Sequence, residues 1–104
     1  MAYTRRIEFG DGDWIEMTAP TGQQRGDLAP PTAPFGSREY AEQSVSHLVE
    51  LVTTLTTAAN LHSKSDPSKV YGAPLTAGVL RDLGSTKRWR VFGLAMLIME
   101  GPPD

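Results

Sequence analysis

Six apolar residues, Ala41, Val45, Leu48, Val52, Leu55 and Ala59, recur in steps of four and three through the middle of this chain. On a helix that spacing places all six along one seam, the arrangement by which a helix packs lengthwise on a partner. It predicts a helix over about 38–61. Ser37 is the expected N-cap, and Glu39 and Glu42 lie in the early turns, where acidic groups favour the helix dipole. Val at one position type and Leu at the other is the order favoured in parallel two-stranded coils. Thr53, Thr54, Thr56 and Thr57 lower the intrinsic helicity, so packing must sustain the helix. A seam is a surface for contact rather than for chemistry.

The flanking segments predict an α+β chain: an N-terminal β-hairpin, an extended Pro/Gly linker and a three-helix C-terminal part. Arg6-Ile7-Glu8-Phe9 and Trp14-Ile15-Glu16-Met17 read as extended strands around the turn residues Gly10-Asp11-Gly12-Asp13. An isolated hairpin is marginal in water, so residues 1–17 are expected to form an arm that another element or another molecule must cover. From 18 to 37, Pro20, Pro30, Pro31 and Pro34 with Gly22, Gly26 and Gly36 predict an extended connector without regular structure. Residues 38–104 form the expected helical domain, with two further helices at about 74–83 and 86–100. Gly84 is the stop between them, and residues 101–104 form a short tail.

At 104 residues with 39% hydrophobic content and 18 Pro plus Gly, the chain suits one small folded part joined to extended segments. Such a core is only marginally stable without oligomerisation or docking. There is no cysteine, which excludes disulfides, thiolate metal sites and cysteine catalysis. The net charge of −2 divides unevenly. Residues 1–63 carry −4 (four Arg against eight acids), 64–92 carry +4 (six Lys/Arg against two acids) and 93–104 carry −2. Such segregation favours contact between segments, within a chain or between copies.

No constellation points to an enzyme, a metal or another cofactor. Asp11-Gly12-Asp13 lacks the further ligands of a calcium loop and reads as a turn. Arg25-Gly26-Asp27 spells an adhesion tripeptide without a secretory context. His47 and His62 would lie about 22 Å apart on one straight helix at 1.5 Å per residue, too far to share a metal. The pair His47 and Glu50 reads as a solvated helix face. Leu75 to Met96 allows a helix-turn-helix reading, with Arg81, Lys87, Arg88 and Arg90 as a basic patch. Leu80 is large where such a motif wants a small residue, and the second helix is apolar after Arg90. Trp89, Phe92 and Met96, with Trp14 on the hairpin, are anchors for either a core or an interface, since Trp, Met and Arg together are the composition of a binding hot spot.

The run Arg6-Ile7-Glu8-Phe9-Gly10-Asp11-Gly12-Asp13-Trp14-Ile15-Glu16-Met17, followed by a polar, proline-containing connector and helices, resembles the start of small proteins from the tail and head-tail gene region of phages of high-GC Gram-positive bacteria. The resemblance covers the hairpin only. It implies a non-enzymatic structural or assembly role in a virion, with other protein subunits as partners in a homo-oligomer or a hetero-assembly. The alternative is a small regulator or inhibitor that binds a host protein or nucleic acid through the basic patch. Arg5 and Arg6 are not followed by an apolar run, and Val91 to Met99 is far shorter than the ~20 residues that span a bilayer. A soluble protein of the bacterial cytoplasm or the phage particle is therefore expected, with no membrane partner.

Overall fold

In a computed structural model, which describes residues 3–28 and 30–101, the alternating segments form β1 (Thr4–Glu8) and β2 (Trp14–Thr18), an antiparallel pair with Ile7 opposite Ile15. The turn closes through a hydrogen bond from the Phe9 N–H to the Asp13 carbonyl, 3.0 Å. Gly10 and Gly12 there adopt φ of 86° and 93°, values that suit residues without a Cβ. Across the pair, Arg6 and Glu16 form a 3.3 Å ion pair, and the Arg6 guanidinium lies 4.0 Å from the centre of the half-buried Trp14 ring. Ile15 and Met17 face inward and are fully buried.

The hairpin is not a free arm. β2 also pairs with β3 (Thr56–His62), which pairs with the short β4 (Val70–Tyr71), so the sheet has four antiparallel strands in the order β1-β2-β3-β4. A bulge between Glu16 and Met17 shifts the β2–β3 register.

Among the described residues four helices form, not three. The additional one, α1 (Gly22–Asp27), lies inside the segment expected to lack regular structure. Thr21 and Gln24 form a reciprocal capping box, with backbone-to-side-chain bonds of 2.9 and 3.2 Å, and Leu28 just beyond is buried. The rest of the connector does not reach outward. The N–H groups of Thr32 and Ala33 both donate to Gln43 Oε1 at 3.0 Å, tying it to α2 (Arg38–Leu55).

Helix α2 starts at the Ser37 cap but stops at Leu55, six residues short of the expected end. Thr56 turns extended and leads straight into β3. Its hydroxyl bonds the Val52 carbonyl at 2.7 Å, and its branched Cβ suits a strand. Ala59, expected on the helical seam, therefore lies on β3 opposite Ile15. α3 (Ala77–Asp82) and α4 (Ser85–Glu100) follow, separated by Gly84 at φ 83°. α4 lies across β1 and β2, and α2 packs on α4. One core forms between them, with Met17, Leu55, Leu61, Leu80, Leu94 and Ile98 among its buried members. Met1, Ala2, Ala29 and the last three residues, 102–104, of the tail expected over 101–104 lie outside the described residues.

Candidate functional site

The six seam residues have different fates. Val52 and Leu55 are buried in the core, Leu48 is half-buried, Ala41 is exposed and Val45 is 59% exposed. The C-terminal half of the seam is thus used inside the chain, and the N-terminal half faces out. Val45 and Val49 border a groove of about 600 Å³ whose other walls come from Ala77, Leu80 and Arg81 of α3 and Arg88, Trp89 and Phe92 of α4. Trp89 and Phe92 meet edge to face, 5.9 Å between ring centres. Phe92 is buried, whereas Trp89 is 66% exposed.

The apolar surface continues past the groove. On α4, Trp89, Gly93 and Met96 are spaced by four and three and share one face, with Leu97 beside them. Met96 and Leu97 are 50% and 45% exposed. Val91, Leu94, Ala95 and Ile98 on the opposite side are buried. The all-round apolar character of this helix thus serves a core on one side and leaves an open face on the other. Of the expected anchors, Trp89 and Met96 lie on that face, Phe92 lies at its buried edge, and Trp14 lies apart on the sheet.

The expected basic patch does not assemble. Arg81 and Arg88 border the groove. Arg90 leaves α4 toward the hairpin, 4.7 Å above the Phe9 ring and 3.4 Å from the Glu8 carbonyl. Lys87 is engaged elsewhere and donates to Asp11 and Asp13 at 2.6 Å each.

That pairing belongs to a polar cluster the sequence did not reveal. Asp13 is buried, and its carboxylate also accepts the His62 backbone N–H at 3.0 Å and bonds His62 Nδ1. A carboxylate can only accept, so Nδ1 carries the proton in this bond. Burial works against the Asp13 charge, but the bonds from Lys87 and His62 outweigh it and hold the carboxyl below its ordinary value. Lys87 likewise loses solvent, yet Asp11 and Asp13 keep its ammonium above the ordinary lysine value. Nearby, hydroxyls of Ser63, Ser65 and Tyr71 donate to Asp82 and hold that carboxyl well below the usual range. Among the described residues no hydroxyl bonds His62. The cluster ties the β1–β2 turn, the end of β3 and the start of α4 together.

The signs of these shifts set a pH profile. Carboxyls lowered on folding contribute stability above 3.8 that is lost as pH falls through their folded values. Lys87 contributes below 10.5 and loses that contribution as pH rises through its raised value. Thermal unfolding followed across pH is expected to show a plateau between these limits, with Tm falling on both sides.

Among the described residues, no three His, Asp or Glu side chains converge as metal ligands. His47 lines a separate cleft with Glu39, Glu42 and Glu50 on α2, and His62 is on β3, so the two histidines are on different elements. No described helix is long and apolar enough to cross a membrane. No protein-family model, curated protein or solved structure matches the chain.

Proposed function

We propose that this chain is a small non-enzymatic interaction subunit that docks on protein partners through the outer face of α4 and the adjoining groove. The observation that carries this reading is the exposure of Trp89, beside Met96, Leu97 and Val45, on a chain of this size. Contiguous exposed apolar surface of this kind marks contact sites. Trp, Met and Arg are enriched at such sites, and Arg81 and Arg88 at the rim match that composition. The resemblance of the Arg6–Met17 hairpin to phage tail and head-tail proteins suggests a virion as the assembly. The polar cluster at Asp13 supports a structural role for the rest of the molecule.

Trp89→Ser/Met96→Ser is expected to lower the unfolding free energy of the single chain in urea by no more than about 1 kcal/mol, the edge-to-face contact of Trp89 with Phe92 being the packing that is lost. A loss of several kcal/mol would make the face structural and overturn the reading. A photo-crosslinking amino acid at position 96, irradiated in the cells that naturally carry the gene, is expected to trap a discrete protein adduct. The same probe at the exposed Ser68 should trap none. Absence of any adduct at 96 counts against docking through this face.

A further inference from the structure

We propose that the face of α4 bearing Trp89, Gly93, Met96 and Leu97 pairs with the same face of a second copy of the chain, antiparallel, about a two-fold axis at Gly93. This rests on the reading of the α4 face as an interaction surface and names its occupant.

Gly93 is the first reason. A glycine inside a helix costs about 1 kcal/mol relative to alanine. Nothing among the described residues requires it: a Cβ at 93 would meet none of their atoms within 4 Å, and its φ is not among the positive ones. It sits at the centre of the exposed stripe, between Trp89 and Leu97. A missing side chain there lets a second helix cross close to the backbone, with the flanking large residues closing around the crossing.

Self-complementarity is the second. A two-fold axis at residue 93 sets each position opposite the one equally far on the other side. Trp89 then meets the second copy's Leu97, and each Leu97 meets the second copy's Trp89. Glu100 comes opposite the second copy's Thr86 and within one turn of its Arg90. Lys87 is taken up by Asp11 and Asp13, so the exposed charges along this face of α4 are Arg90 near its start and Glu100 at its end. Antiparallel pairing therefore brings opposite charges and opposite helix-dipole ends together, whereas parallel pairing would align like with like.

The test is light scattering after size exclusion on the full chain across a concentration series. Wild type is expected to show twice the mass of one chain, dissociating on dilution. Gly93→Leu should weaken the dimer by roughly a hundredfold or more while α4 keeps its helix, because the added side chain enters open space in the monomer. Thr86→Glu is favourable for the first turn of α4 but faces Glu100 of the other copy, so it should weaken the dimer several-fold at low salt. Thr86→Glu/Glu100→Lys should restore it. A wild type that is monomeric throughout, or a dimer indifferent to both Gly93→Leu and Thr86→Glu, overturns the pairing. If the crosslink at 96 then yields an adduct that is not twice the chain mass, the interaction reading stands with another partner; with no adduct, both fail.

Discussion

Asp13→Ala is expected to lower stability by about 3 kcal/mol, or roughly 15 °C in Tm for a domain of this size. The carboxylate is buried and holds three donors at once: the His62 backbone N–H, His62 Nδ1 and the Lys87 ammonium. Its removal leaves an N–H at the end of β3 without an acceptor and leaves Lys87 with Asp11 alone, on the exposed side. Asp11→Ala is the control. It breaks the outer half of the Lys87 contact and removes the Oδ1 acceptor of the Asp13 N–H in the turn, and it is expected to cost clearly less than Asp13→Ala, as exposed ion pairs do. Urea unfolding of the two variants checks the difference. Equal losses would show that Asp13 does not clamp the turn, β3 and α4. Asp13→Ala should also flatten the acid side of the pH profile, because one of the lowered carboxyls that produces it is gone.

Nothing in the sequence pointed to that clamp, because Asp13 and Lys87 are 74 positions apart and each has an adequate local explanation. Asp13 reads as a turn residue, and indeed its N–H bonds Asp11 Oδ1 at 3.1 Å in the turn. Only the folding of α4 across the hairpin brings Lys87 to it. The hairpin was legible because period-two alternation and glycine turns are local signals. The end of α2 was not. Leu55, Ala59 and His62 continue a helical spacing, and the competing signal, the Thr56-Thr57 pair, wins because β2 offers Thr56–Asn60 a ladder of backbone hydrogen bonds. In the connector, the density of Pro and Gly obscured the Thr21–Gln24 capping box, which is enough for six residues of helix once Leu28 has a core to enter. The apolar anchors were visible as residue types. Periodicity alone could not say which of them the chain would cover itself.

That division within the seam gives the largest expected effect. Val52→Asp should abolish folding, whereas Val45→Asp should change the unfolding free energy by no more than about 0.5 kcal/mol. The two positions are one heptad apart and equivalent in the repeat, so propensity and pattern treat them alike. Val52 is fully buried and Val45 is 59% exposed. A carboxylate at 52 would be enclosed by the core without a partner, a cost of several kcal/mol. The valine packing is lost as well, in a fold whose whole margin is about 5–15 kcal/mol. At 45 the carboxylate reaches water at the lip of the groove. Far-UV circular dichroism with urea titration separates the outcomes. A folded Val52→Asp would refute the packing of α2 on α4 described above. An unfolded Val45→Asp would mean the seam is core along its whole length, leaving no open groove for a partner to enter.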